Sequence, residues 1–289
     1  MKVGFVNIFG KPNAGKSTLL NALLGEKLAI ISKKVQTTRH RIKGILTTEA
    51  YQVIFSDTPG IIEPKYRLHE KMMAAVTEAK EDADLAILLV DINDKWEEAD
   101  AIFSSLQFKV PALVVINKQD MASPQKKELA FEFFKSKAYC KDIIAITALR
   151  KVNTEELLNR IVTLLPEGEP FFDGEEMTDL PTRFFVGEII REKIYEQYEE
   201  EIPYHTTVVV REFKEKSTLI KIQADIIVQR DTQKGIILGE RGNGIKALGT
   251  AARIDIEKFL GQKVFLELFV KVKPKWRDND LYLKEYGYH

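Results

Sequence analysis

Few folds can accommodate the stretch Gly10-Lys11-Pro12-Asn13-Ala14-Gly15-Lys16-Ser17. It follows the apolar run Val3-Gly4-Phe5-Val6-Asn7-Ile8-Phe9, which reads as a buried strand, and it opens Ser17 to Gly25, which reads as a short helix. Gly10 and Gly15 are expected to adopt backbone angles that a Cβ forbids, turning successive N–H groups inward toward phosphate oxygens. Lys16 is then placed to reach a β- or γ-phosphate and Ser17 to offer a hydroxyl to Mg²⁺, while the helix N-terminus favours the bound anion.

At 289 residues the chain is long enough for two cores. A composition of 45% hydrophobic and 30% charged residues is that of a soluble globular protein, and no apolar run approaches the ~20 residues of a membrane span. The first strand begins by residue 3, which leaves no room for a signal peptide, and the lone Cys140 suits a reducing cytoplasm. Net charge is zero, yet the stretch from His205 to Arg277 carries 15 Lys/Arg against 8 Asp/Glu. The basic excess marks this region as a candidate nucleic-acid surface.

The chain then alternates. A basic loop (30–41) precedes two β-rich runs, 42–48 and 51–56, predicted as a hairpin that ends in Asp57-Thr58-Pro59-Gly60. An aspartate at the carboxyl end of a strand can hold Mg²⁺ through water, and a glycine three residues on can place an N–H on a γ-phosphate. Helices are predicted at 68–83, 97–107, 124–137 and 154–165, with buried strands at 85–90, 112–116 and 142–146. The strand at 112–116 delivers Asn117-Lys118-Gln119-Asp120, and the last strand runs into Thr147-Ala148-Leu149. Continuous apolar strands between helices imply a mainly parallel α/β sheet covered on both faces. A carboxylate such as Asp120 can accept from both N1–H and the 2-amino group of guanine; adenine has neither donor, so Asn117 and Asp120 predict a guanine preference.

Residues 166–181 have no sustained period and read as a linker. Beyond it, a helix (183–200) with the stripe Phe185, Ile189, Ile190, Ile194 and Tyr198 precedes strands at 206–210 and 218–228. A short helix then runs into Gly239-Glu240-Arg241-Gly242, followed by a helix at 243–260 and a strand at 264–272. The expected division is a nucleotide domain at 1–168, a linker at 169–182 and an α+β RNA-binding domain at 183–289. A Gly-x-x-Gly turn allows close backbone approach to sugar-phosphate, and Ile236, Ile237 and Ile245 could wall a groove for unstacked bases.

These motifs resemble the translation-factor-related branch of P-loop GTPases over residues 1 to about 165, and a type II KH domain in the second half. Both halves, with Gln36-Thr37-Thr38-Arg39-His40-Arg41 and the helix that joins them, resemble the bacterial Era family over nearly the whole chain. The resemblance implies GTP or GDP held by Gly10, Lys11, Pro12, Asn13, Ala14, Gly15, Lys16, Ser17 and Thr18, by Asp57, Thr58, Pro59 and Gly60, and by Asn117, Lys118, Asp120, Thr147, Ala148 and Leu149. Mg²⁺ falls to Ser17, Asp57 and Thr38, with Thr37 the alternative. Lys16, Thr38 and Gly60 serve hydrolysis. RNA falls to Gly239, Glu240, Arg241, Gly242, Lys246 and Arg253. Ras-like relatives place a glutamine after the third motif, whereas this chain has Ile61, so the water-orienting group is left unidentified. A K⁺ ion beside Asn13 is a candidate for the missing charge. His40 and His69, in or near the switch regions, read as solvated or packing residues. The implied partners are the 3′ end of small-subunit ribosomal RNA and the small ribosomal subunit. A cytoplasmic monomer with peripheral contact to the inner membrane is expected. The alternative is a GTPase whose C-terminal half docks a protein.

Overall fold

The computed structural model describes residues 1–32 and 34–288; Lys33, in the basic loop, and His289, the last residue of the expected RNA-binding domain, lie outside them. Two compact units emerge, one from residues 1–64 and 72–179, the other from 65–71 and 180–289.

In the first unit, β1 (Lys2–Phe9), β2 (Ile42–Thr47), β3 (Tyr51–Asp57), β4 (Leu85–Asp91), β5 (Ala112–Asn117) and β6 (Cys140–Ala145) form one sheet in the order β2-β3-β1-β4-β5-β6. All pairings are parallel except β2 with β3. The helices are α1 (Lys16–Leu24), α2 (Arg67–Glu81, of which 72–81 belong to this unit), α3 (Trp96–Leu106), α4 (Pro124–Lys135) and α5 (Thr154–Leu164). β4 and β5 are apolar up to their last residues, Asp91 and Asn117, because both faces are covered, and Leu88, Val90, Val114 and Ile116 pack with Phe103 and Phe134 in one core. Ser123 caps α4 by accepting from the Lys126 amide, with Pro124 in the first turn.

The segment read as a linker is fastened to this sheet. Val3 N–H donates to Pro166 O (3.0 Å) and Ile45 N–H to Met177 O (2.9 Å). Gln52, fully buried, accepts from the amides of Phe171 (2.7 Å) and Phe172 (3.1 Å) and donates to Phe172 O (2.8 Å). A buried amide with these bonds satisfied holds irregular backbone in place without regular secondary structure.

In the second unit, α6 (Thr182–Gln197) and the short α7 (Ile202–His205) precede β7 (Thr207–Glu215), β8 (Ile220–Val228), α8 (Asp231–Leu238), α9 (Asn243–Leu260) and β9 (Val264–Val272). β8 is central, antiparallel to β7 and parallel to β9. Val186, Ile190, Ile222, Ala224, Ala252, Ile256 and Val264 form the core between sheet and helices. α6 departs from the single stripe expected. Glu188, Arg191 and Glu192 are buried with the apolar residues, and the Arg191 guanidinium grips Glu188 at 2.7 Å and 2.5 Å. The segment after β9 carries no element predicted from sequence, yet its Trp276 and Leu283 are fully buried and α10 spans Asp280–Glu285. Trp276 Nε1 donates to His205 O at 2.9 Å.

Candidate nucleotide and nucleic-acid sites

The turns after β1, β3, β5 and β6 and the loop before β2 meet around one cavity of about 570 Å³ at the carboxyl ends of the strands. It lies where β1 is flanked by β3 on one side and β4 on the other, the switch point at which open α/β sheets bind ligands. Its walls include Asn13, Lys16, Thr38, Gly60, Asn117 and Asp120.

Gly15 sits in the left-handed region (φ 99°) as the residue that opens α1, and a Cβ there would collide with Asn117 Nδ2. Gly10 behaves differently from expectation. It is not among the residues with positive φ; a Cβ there would strike the Leu89 carbonyl, so close packing against β4 is what demands glycine. Asn13 does take a positive φ of 64°. Gly60 lies on Pro12, where a Cβ would come within 2.9 Å of the Pro12 backbone, and Ile61 N–H donates to Gly10 O (3.2 Å). The third motif therefore rests on the first.

Lys16 is almost fully buried, and its Nζ donates to Gly10 O (3.1 Å) and Lys11 O (2.9 Å). Burial lowers its pKa to about 8, opposed by the charge of Asp57. Asp57 is fully buried, and burial pushes its carboxyl above the ordinary range despite Lys16 and the hydroxyls of Ser17 and Thr38. Ser17 Oγ donates to Asp57 Oδ2 (2.5 Å) and lies 2.8 Å from Thr38 Oγ1, which donates to the same carboxylate oxygen at 3.1 Å. Asp57 Oδ1 is buried with no hydrogen-bond partner. Two hydroxyls and a carboxylate with an orphaned oxygen are hard donors of the kind Mg²⁺ takes, so the residues fit that ion. Of the two threonines left open by the sequence, Thr38 joins this set, while Thr37 Oγ1 donates to Lys34 O (2.8 Å). His69 is buried and accepts from the Lys65 amide at 3.3 Å.

On the base side, Asn117 uses its amide to tie loops together: Nδ2 donates to Ala14 O (2.9 Å) and Oδ1 accepts from Ala148 N–H (3.0 Å). Lys118, at φ 59°, donates to Asn13 O (3.0 Å) and Asp91 Oδ2 (2.5 Å). Asp120 is oriented by the Thr147 hydroxyl (3.1 Å), and Leu149 stands largely exposed at the cavity. Asp91 escaped sequence reading, although its place at the end of a buried strand was a usable signal. Thr58 also acts locally, donating to Ile8 O at 2.6 Å.

In the second unit, Gly239 (φ 69°) and Gly242 (φ 80°) flank Glu240 and Arg241, and Arg241 is itself left-handed at φ 51°. Gly242 opens α9, and nothing lies within 4 Å of a Cβ placed there. Gly244 was not singled out by sequence. A Cβ on it would come within 2.7 Å of Ile237 O, and one on Gly239 within 2.7 Å of Gly244 N, so this pair lets α8 and α9 meet. Ile236 is half exposed beside the turn, and Lys246 is exposed in the first turn of α9. Arg253 is not brought to the turn. It lies roughly 16 Å further along α9 and pairs with Glu257 at 3.2 Å.

Residues 5–118 match the family model described as 50S ribosome-binding GTPase, and residues 201–277 match that of the KH domain. Fold and sites thus define a P-loop GTPase with a C-terminal KH domain. The chain is 43% identical over 291 residues to GTPase Era of Caldanaerobacter subterraneus subsp. tengcongensis, covering 99% of this chain and 98% of the relative. A crystal structure of Era in complex with MgGDPNP and nucleotides 1506–1542 of 16S ribosomal RNA superposes with a TM-score of 0.95 at 41% identity, covering 100% of this chain and 99% of that one. A variant of Aquifex aeolicus Era bound to GDP and AlF4⁻ gives 0.95 at 40% identity, with the same coverage. The chain belongs to the GTPase Era family. Among the described residues no helix is long and apolar enough to cross a membrane.

Proposed function

We propose that this GTPase binds the 3′ end of small-subunit ribosomal RNA through its KH domain during assembly of the small ribosomal subunit, with GTP binding and hydrolysis timing the step. The observation that carries the reading is the meeting of the nucleotide motifs around one cavity, in a chain whose other unit presents a Gly-x-x-Gly turn at a helix start. The relative solved with MgGDPNP and 16S ribosomal RNA supports the same assignment.

In this reading the amides of residues 10–18 and Lys16 hold the phosphates, and Gly60 offers its N–H to the γ-phosphate. Ser17, Thr38 and Asp57 hold Mg²⁺, which when bound neutralises charge developing on the transferred phosphoryl group. Asp120 reads guanine, while Asn117 and Lys118 brace the loops that frame it, and Thr147, Ala148 and Leu149 support the base. Ile61 cannot orient water, so hydrolysis by the free protein is slow; a K⁺ ion beside Asn13 supplies charge in its place. The KH turn, with Lys246, takes sugar-phosphate, and Arg253 adds charge further along α9. The reading is completed by a cytoplasmic monomer; the lone Cys140 supports the reducing compartment, and the monomeric state rests on family resemblance alone. Peripheral contact with the inner membrane surface rests on family resemblance alone.

The test is to crosslink the chain in cells and sequence the attached RNA. Enrichment of the 3′ end of 16S ribosomal RNA is expected. Background-level RNA with a crosslinked protein instead would replace this reading with the protein-docking one.

A further inference from the structure

The loop carrying Thr38 returns to the sheet through Arg41, the residue before β2, and Arg41 makes a dense set of polar contacts near the site. Its guanidinium is 12% exposed and engages Asp82, just past α2, through both carboxylate oxygens at 2.6 Å and 2.8 Å. Nε and Nη2 reach Ser56 Oγ at 3.1 Å and 2.9 Å, and Nη2 lies 3.4 Å from Asn7 Oδ1. Ser56 and Asn7 are fully buried and face each other in register across β3 and β1. Asn7 Nδ2 donates in turn to Asp82 Oδ1 (2.8 Å) and to Ala79 O in the last turn of α2. Four segments are knotted around one planar fork, a geometry that lysine cannot reproduce.

Ser56 directly precedes Asp57. Successive strand residues point to opposite faces, so the end of β3 grips the loop twice: Asp57 takes Thr38 and Ser56 takes Arg41. Only Arg39 and His40 lie between the two grips. The loop is already closed at both ends, at Leu28 and Ala29 by the Asn21 side chain and at Ile42 by the β2–β3 ladder. The fork adds a side-chain tether that fixes the direction in which the chain leaves Thr38, so fewer conformations remain to be lost when the hydroxyl returns to Ser17 and Asp57.

We propose that Arg41 is a positioning residue for GTP hydrolysis, anchoring the loop so that Thr38 closes on the Ser17 and Asp57 oxygens at each turnover. The proposal rests on the assignment of those three residues to Mg²⁺. It predicts that losing the anchor raises the Mg²⁺ concentration needed in the GTP state and leaves the GDP state, where Thr38 is not required, unaffected.

The experiment compares wild type with Arg41→Ala, Arg41→Lys, Asp82→Asn and Thr38→Ala. It measures kcat and KM for GTP across a Mg²⁺ titration, and the Kd of fluorescent GDP and of a non-hydrolysable GTP analogue. Arg41→Ala is expected to lower kcat about tenfold at limiting Mg²⁺, the scale of one charge-assisted hydrogen bond to a buried group. Excess Mg²⁺ should recover most of the loss, analogue affinity should fall, and GDP affinity should stay as in wild type. Arg41→Lys and Asp82→Asn should fall between. If Thr38→Ala is impaired while Arg41→Ala matches wild type, the anchor is refuted and the metal assignment stands; if Thr38→Ala is itself unimpaired, the assignment beneath it fails. A loss in Arg41→Ala that ignores Mg²⁺ and weakens GDP equally shows a purely structural role and overturns the proposal.

Discussion

Gly15 and Gly242 play the same local role, each standing in the left-handed region as the residue that opens a helix, with φ 99° before α1 and φ 80° before α9. Each thereby exposes the first unpaired amides of a helix to an anion. Their surroundings differ. A Cβ on Gly15 runs into Asn117, whereas one on Gly242 meets nothing within 4 Å. The first helix start is roofed by a segment from about 100 residues further along the chain, which walls one side of the cavity. The second is open, as a surface that accepts a continuous polymer must be. On the proposed reading, one anion-binding device serves a discriminating pocket in one unit and a permissive groove in the other, according to what packs beside it.

The sharpest break in this comparison comes from Asp120. Its Oδ1 accepts from the Thr147 hydroxyl at 3.1 Å and its Oδ2 lies 3.7 Å from Arg150 Nε, contacts that orient the carboxylate at the cavity. Asp120→Asn turns one acceptor into a donor and suits xanthine, with oxygen at C2, in place of guanine. Competition binding should show GTP preference replaced by XTP preference, a swing on the order of 10⁴. Unchanged GTP affinity with no gain for XTP would mean that Asp120 does not read the base.

A smaller effect separates the two glycines. Gly15→Ala adds left-handed strain of about 1–2 kcal/mol to displacement of Asn117, so GDP binding by isothermal titration should weaken about a hundredfold or more. Gly242→Ala carries only the strain, and its RNA affinity should fall about tenfold or less. Equal losses in the two variants would abolish the distinction between roofed and open helix starts.

Much of this was legible in the sequence where function is concentrated in contiguous residues. The phosphate loop, Asp57 to Gly60, Asn117 to Asp120 and the KH turn all stand out as short motifs at the ends of periodic segments, and the structure puts them there. What escaped was pairing across distance. Asn7, Arg41 and Asp82 are separated by 34 and 41 residues, and nothing local to any of them announces the others. Gln52 fastens residues 171 and 172 with a side chain that reads as an ordinary polar strand residue. The burial of the polar residues of α6 escaped for another reason: Glu188 and Arg191 neutralise each other inside the fold, so a polar pattern that signals solvent conceals burial. Gly244 was overlooked because its φ is ordinary and only the approach of α8 makes it necessary.

The central claim is that the open helix start binds RNA phosphate. The most direct measurement is the salt dependence of RNA binding by a double variant, Glu240→Asp with Arg241→Asp. Both glycines remain, and aspartate tolerates the left-handed backbone at position 241, where φ is 51°. One positive charge is removed and a second carboxylate gained where phosphate is expected to lie. The account predicts an affinity loss of about 1–3 kcal/mol, a slope against log salt shallower by about 0.7 for each phosphate no longer engaged, and unchanged GTP affinity. A folded double variant that binds RNA with wild-type affinity and slope would contradict it.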